Sequence, residues 1–138
     1  MADSFRHVKI TDSVAAAPQL QPGDLAAVAA AGYRVVINNR PDGEALGQPS
    51  SAQLRAAAEA AGLEYHFYPL TAFNYPGEDV AAMRRLFDDE RPVLAFCRSG
   101  TRSTNLWIST RDPGEQDGAR TLAQRLGVEH FEARCPCR

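Results

Sequence analysis

Short apolar runs recur along the chain at intervals that suit the strands of one sheet. The runs at residues 33–37 and 92–96 are mainly hydrophobic, as in strands that are buried on both faces. Residues 64–70 are aromatic and strand-like, and residues 8–15 alternate weakly, as in an edge strand followed by a turn. These four segments predict four strands.

Helix signals occupy the segments between the strands, at 22–32, 51–61 and 78–89. Pro22 suits the first turn of a helix, and Gly62 suits the position just after the end of one. Strands that alternate with helices in this way are typical of α/β proteins. The sequence therefore predicts an α/β fold, a three-layer sandwich with a central and mostly parallel sheet.

The strand at 92–96 is followed by a segment of one cysteine, one glycine, two arginines and three hydroxyl residues. Its sequence is Cys97-Arg98-Ser99-Gly100-Thr101-Arg102-Ser103. Gly100 allows the positive φ of a tight loop. We expect the N–H groups of residues 98–102 to face one point, together with the free N–H groups of a helix that starts at or just after Ser103. The segment is therefore a candidate anion-binding loop, with ligands from Arg98, Ser99, Gly100, Thr101 and Arg102.

Cys97 is the candidate nucleophile of this loop. The surrounding N–H groups, together with Arg98 and Arg102, should favour its thiolate form, which is the reactive one. The alternative is a small core residue at the end of a strand, which is a common position for a free cysteine. Two arginines so close to a buried strand favour the anion site, because burying an arginine without an anion is unfavourable.

A second polar loop, at residues 38–44, follows the strand at 33–37. Ligands of open α/β sheets bind beyond the carboxyl ends of the strands, so this loop and the cysteine loop should lie at one edge. Arg40 and Asp42 are therefore candidates to support the site. The alternative is a simple turn with a solvated arginine and a capping aspartate.

Length, composition and charge limit the number of domains, the partners and the location that we expect. The length of 138 residues suits one domain with a real core. The net charge of -2 gives no general attraction to nucleic acid, and no apolar run is long enough to span a membrane, so we expect neither partner. Residues 1–6 lack the pattern of a secretion signal, which favours a cytoplasmic location. Three cysteines make a disulfide framework unexpected.

The C-terminal part of the chain is less regular than the rest. We expect the α/β domain to occupy residues 1–110 and an extension, a short helix at 119–126 and then a flexible tail, to occupy 111–138. Cys135 and Cys137 in that tail resemble a metal or redox pair, but no other ligands accompany them. The sequence therefore predicts no metal and no cofactor.

Two segments together, residues 35–44 and 97–107, resemble the bacterial beta-lactamase hydrolase-like phosphatase family. The resemblance extends from Ile10 to Trp107, and it implies a fold like that of tyrosine and dual-specificity phosphatases. It also implies a hydrolase in which Cys97 attacks phosphorus and forms a thiophosphate. Arg102 would bind two phosphate oxygens, and Ser103 would stabilise the departing thiolate.

The length of the loop leaves two further functions open. Four residues separate Cys97 from Arg102, whereas the tyrosine phosphatase pattern has five. The shorter loop resembles that of rhodanese sulfurtransferases, where the cysteine carries a persulfide, so the substrate bears either phosphate or sulfane sulfur. No aspartate occupies residues 71–74, where such phosphatases place a general acid, and Asp79 should lie in a helix start. The third candidate is a module that only binds phosphate or sulfate.

Overall fold

A computed structural model describes residues 5–126, which form a five-stranded sheet with helices on both faces. The strands are β1 (Val8–Lys9), β2 (Val14–Ala17), β3 (Val35–Asn38), β4 (Glu64–Phe67) and β5 (Val93–Phe96). Their order across the sheet is β1-β2-β5-β3-β4. The pair β1–β2 is antiparallel and all other pairs are parallel, which confirms the predicted sheet.

Within residues 5–126, five α-helices complete the three layers. They are α1 (Leu25–Ala30), α2 (Ser51–Ala60), α3 (Val80–Phe87), α4 (Thr101–Ser109) and α5 (Gln116–Arg125). Alternate residues of the central strands face opposite cores: Val35 and Ile37 pack with α3, α4 and α5, and Val36 packs with α1 and α2. The α/β sandwich predicted from the sequence is therefore confirmed.

Local signals in the sequence fix several helix ends. Ser50 and Gln53 form a capping box at the start of α2: Ser50 Oγ accepts from the Gln53 N–H at 3.1 Å, and Gln53 Oε1 accepts from the Ser50 N–H at 2.9 Å. Asp79 caps α3 by accepting from the Ala82 N–H at 3.0 Å. These contacts satisfy donors that the first helical turn leaves free.

The N-terminal part of the sheet differs from the prediction. Residues 8–15 were expected to give one edge strand and a turn, but the chain forms β1, a turn and then β2, which lies between β1 and β5. Three of the four residues of β2 are alanine, which has low strand propensity, so no local signal marks it. Main-chain pairing with β5 and complete burial compensate for that low propensity.

The C-terminal helix is longer than predicted. It begins at Gln116 rather than at residue 119, after a short turn that Pro113 opens. Its Ala119 and Ala123 belong to the same core as Leu106 of α4. The proposed domain boundary at residue 110 stays a prediction. Cys135, Cys137 and the expected tail lie outside the described residues, and no helix within 5–126 is long and apolar enough to cross a membrane.

One buried hydroxyl of α4 leads to a stability prediction. Thr104 is fully buried, and its Oγ1 has no hydrogen-bond partner within residues 5–126. Thr104→Val removes this unpaired group at nearly constant shape, so the free energy of unfolding should stay the same or rise by up to about 1 kcal/mol. Urea denaturation measures the change.

Thr110→Val is the matched control for this substitution. Thr110 is also buried, but its hydroxyl donates to the Trp107 carbonyl at 2.6 Å and accepts from Arg111 at 2.9 Å. The control should therefore destabilise the fold by about 1 kcal/mol. A loss of similar size in Thr104→Val would mean that its hydroxyl is satisfied in solution.

Candidate active site

Cys97 lies at the bottom of the loop that follows β5. It is completely buried, and its Sγ accepts a hydrogen bond from the Gly100 N–H at 3.0 Å. Its own N–H donates to the Ala17 carbonyl at 3.3 Å, which continues the pairing of β5 with β2. The sulfur is therefore held in place by the sheet and contacts the N–H of Gly100 in the loop.

Helix α4 begins at Thr101, so the prediction of a start at or just after Ser103 is wrong. Gly100 is the N-cap residue with φ +94°, and its carbonyl accepts from the Thr104 N–H at 3.1 Å. The positive φ at Gly100 completes the loop in four residues and turns the chain directly into the helix. The N–H groups of Arg102 and Ser103 therefore belong to the first turn, where no helical acceptor is present.

The Arg102 guanidinium is fixed by acceptors from two other loops. Its Nη1 and Nη2 donate to the two carboxylate oxygens of Glu44 at 2.8 and 2.9 Å. Nη1 also donates to the Leu70 carbonyl at 3.0 Å. Glu44 lies after β3 and Leu70 after β4, and Arg102 itself lies just after the loop that follows β5. One arginine thus connects the segments that follow these three strands.

Charges at this cluster stabilise one another. The hydrogen bond from Arg102, followed by that from Arg40, holds the pKa of Glu44 below its usual range despite partial burial. Burial alone would lower the pKa of Arg102, but Glu44 and the charge of an ionised Cys97 raise it above its usual value. Glu44 therefore remains a carboxylate at neutral pH and cannot supply a proton to a leaving group.

The two candidate supporting residues occupy different places. Arg40 is buried, and its Nε donates to Glu44 Oε1 at 2.9 Å and its Nη1 to Gln19 Oε1 at 3.0 Å. A solvated arginine is therefore the wrong interpretation, and Arg40 belongs to the cluster around Arg102. Asp42 instead accepts from the Ser51 N–H at 2.7 Å, and so it caps α2 away from this cluster.

Ser103 is buried beside the loop and bonds to a neighbouring strand end. Its hydroxyl donates to Asn39 Oδ1 at 2.8 Å, and the Asn39 amide donates to the Tyr68 carbonyl at 2.8 Å. A hydroxyl has one proton to donate. Donation from Ser103 to a departing Cys97 thiolate, as the family resemblance implies, therefore requires this bond to switch.

The remaining loop residues form the outer part of the site. Arg98 and Ser99 are exposed, and the Arg98 carbonyl accepts from the Gln19 N–H at 3.2 Å. Ser99 Oγ and Thr101 Oγ1 lie 2.9 Å apart within hydrogen-bonding distance. The Arg98 side chain is thus exposed to solvent.

Acidic groups near the loop are engaged elsewhere. Glu44 pairs with two arginines, Asp42 caps α2, and Asp79 caps α3. Within residues 5–126 no three His, Cys, Asp or Glu side chains are grouped so as to hold a metal ion. These three carboxylates are therefore already engaged by other groups of the protein.

Sequence reasoning did not identify four of these partners. They are Gln19, Asn39, Glu44 and the Leu70 carbonyl. Glu44 could have been found from its position four residues after Arg40, a spacing at which the two side chains form an ion pair. The others are visible only once the strand ends are brought together.

Comparison with known proteins places the chain in a family. Residues 4–112 match the model of the beta-lactamase hydrolase-like protein, phosphatase-like domain. A beta-lactamase hydrolase-like protein of Agrobacterium fabrum is 36% identical over 128 residues, which cover 92% of this chain and 28% of that protein. This chain thus spans just over a quarter of the length of that relative.

Solved structures show the same fold. A candidate phosphatase from Neisseria meningitidis Z2491 superimposes with a TM-score of 0.73 at 34% identity, covering 100% of this chain and 99% of that one. Tk-PTP superimposes with a TM-score of 0.64 at 19% identity, covering 93% and 97%, and so shares the fold. The fold is thus tyrosine-phosphatase-like, as the sequence resemblance implied, and the chain belongs to the family of phosphatase-like domains found in beta-lactamase hydrolase-like proteins.

Proposed function

We propose that this chain is a phosphatase domain in which Cys97 accepts the phosphoryl group of a phosphate monoester and passes it to water. The thiolate attacks phosphorus, and the bond to the leaving oxygen breaks to release an alkoxide or phenoxide. Water then attacks the thiophosphate and gives up a proton to solvent, the sulfur–phosphorus bond breaks to return the Cys97 thiolate, and inorganic phosphate leaves. The observation that carries this assignment is the 3.0 Å contact between the Gly100 N–H and Cys97 Sγ.

Anion binding at the loop supports the same proposal. In-line transfer requires donors for the three equatorial oxygens of the phosphoryl group. The N–H groups at the start of α4 supply donors at a positive helix end. Arg102 adds a fixed positive charge whose guanidinium is already oriented by Glu44 and Leu70.

The substrates should have good leaving groups. Glu44, Asp42 and Asp79 are all engaged by other groups, so an alkoxide would leave without a proton. A phenoxide is far less basic and needs little assistance. Leu46 and Phe73 are fully exposed on the two loops that contact Arg102, and they offer apolar surface to an aryl group.

A comparison of leaving groups tests this function. The catalytic efficiency kcat/KM should be about 10²- to 10⁴-fold higher for aryl phosphates than for alkyl phosphates, which is the usual effect of one general acid. A series of substituted phenyl phosphates should also show a steep dependence on the acidity of the phenol. Equal rates on phenyl phosphate and glycerol phosphate would mean that an acid does reach the leaving oxygen.

Sulfur transfer is the second candidate, favoured by the four-residue spacing between Cys97 and Arg102. In that reaction the thiolate attacks a sulfane sulfur of thiosulfate, sulfite leaves, and cyanide then takes the sulfur from the persulfide. Mass spectrometry after thiosulfate treatment would show one additional sulfur on Cys97. Thiocyanate formation without aryl phosphate hydrolysis would replace the phosphatase assignment.

A further inference from the structure

The contacts of Arg102 with Glu44 and Leu70 use three N–H groups of its guanidinium, and Arg102 also interacts with Cys97. Arginine has five N–H donors in a planar fork. Glu44 takes one N–H from each Nη, and the Leu70 carbonyl takes the second N–H of Nη1. Within residues 5–126 the Nε–H and the second Nη2–H lie side by side on the edge that remains to interact with Cys97, and they suit two oxygens of one phosphoryl group held at that sulfur.

We infer that Glu44 is a positioning residue for Arg102. Its carboxylate binds the Nη1–Nη2 end of the guanidinium, so that the Nε–Nη2 edge is directed at the phosphoryl group that Cys97 accepts. This inference rests on the proposed phosphatase function. Glu44 touches no reacting atom, so its effect is on the orientation of the arginine. The gain is greatest in the transition state, where the alignment of donors matters most.

Glu44 is itself held firmly, which this role requires. Its Oε1 accepts from both Arg102 Nη2 and Arg40 Nε at 2.9 Å. Arg40 is buried and bonded to Gln19, whose N–H in turn donates to the Arg98 carbonyl of the loop. The carboxylate therefore links the arginine of α4 to the loop after β3 and to the segment after β2.

A different role for Glu44 is that of a competing anion that occupies Arg102 until substrate displaces it. The geometry favours positioning, because the carboxylate uses the Nη1–Nη2 end of the fork and not the Nε–Nη2 edge. The two roles also predict opposite effects of removing the charge. A competitor, once removed, would free the arginine and tighten anion binding, whereas a positioning residue would leave the arginine misaligned.

The test compares Glu44→Gln with Glu64→Gln in kinetics and in ligand binding. Glu64 lies at the start of β4, at the other end of the sheet, and its Oε1 accepts from Arg91 at 2.9 Å, so the same chemical change is made to a similar pair. Glu44→Gln should lower kcat on an aryl phosphate by about 10- to 100-fold, with KM changed less than about threefold. Its affinity for vanadate, which mimics the transition state, should fall about tenfold more than that for phosphate. Glu64→Gln should match the wild type.

A second variant separates charge from geometry. Glu44→Asp keeps the negative charge but shortens the side chain by one methylene, so it should also lower kcat and the vanadate affinity. Tighter phosphate binding with an unchanged or higher kcat in Glu44→Gln would establish the competitor and overturn the inference. If Glu44→Gln lost kcat, phosphate affinity and vanadate affinity equally, and in proportion to the fraction of unfolded protein, the inference would also be overturned.

The wild-type protein distinguishes failure of this inference from failure of the function. If the wild type does not hydrolyse aryl phosphates, the proposed function fails, while the ratio of vanadate to phosphate affinity still reports the orientation of Arg102. If the wild type is active and Glu44→Gln is equally active, the function stands and the positioning role is wrong.

Discussion

Replacing Cys97 with serine should reduce kcat/KM on aryl phosphates by at least about 10⁴-fold. The proposed reaction needs an ionised sulfur at the bottom of the loop, and a hydroxyl ionises far less readily than a thiol. The loop around Cys97 contains no base to activate serine: the contact on Sγ is an N–H donor from Gly100. Steady-state assays with purified variant and wild type measure the change.

Phosphate binding is the control for the Cys97→Ser variant. The N–H groups of α4 and the Arg102 fork are unchanged, and the serine oxygen can still accept from Gly100. The variant should therefore bind phosphate within a few-fold of the wild type, as titration calorimetry would show. More than about one per cent of the wild-type rate in Cys97→Ser would contradict the assignment of the nucleophile.

Arg102→Lys should have the second largest effect, a loss of about 10²- to 10³-fold in kcat/KM on aryl phosphates. Lysine keeps the charge, but an ammonium cannot bind two oxygens of phosphate on one edge while Glu44 holds the other. The substitution also breaks the bidentate contact with Glu44 and the bond to the Leu70 carbonyl. Assays of the variant in parallel with vanadate titration measure both losses.

Arg91→Lys is the matched control for this change. Arg91 also pairs with two carboxylates, those of Glu64 and Asp89, but it is exposed at the other end of the sheet. Its variant should retain wild-type activity within twofold, because exposed ion pairs contribute little. Unchanged vanadate affinity in Arg102→Lys would show that Arg102 is not the anion ligand.

The central strands and most helices were predictable because their signals are local. The valine and leucine runs of β3 and β5 and the capping box at Ser50 mark those elements in the sequence itself. Strand β2 was not predictable, since its alanines form a strand only through pairing with β5. The start of α4 was predicted about two residues too late. Gly100, with its positive φ, is the N-cap residue, and the sequence alone does not show at which residue the helix begins.

The site was predictable only in part, for a similar reason. Cys97 and Arg102 lie in one short segment, and the common edge of parallel strands placed Arg40 near them. The partners that orient Arg102 come from distant parts of the chain, with Glu44 58 residues away and Leu70 32 residues away. Such pairings follow from the sheet order, which the sequence pattern does not contain.

The attachment of Arg102 to two loops has a consequence for protein engineering. The segment 97–103 is not a self-sufficient module, because the acceptors that orient its arginine follow β3 and β4. Grafting this segment onto another parallel sheet would transfer the cysteine and the helix start but leave the guanidinium free to rotate. A functional transplant must carry Glu44 and the main chain at Leu70 with it, and the length of either loop cannot be altered independently of the arginine.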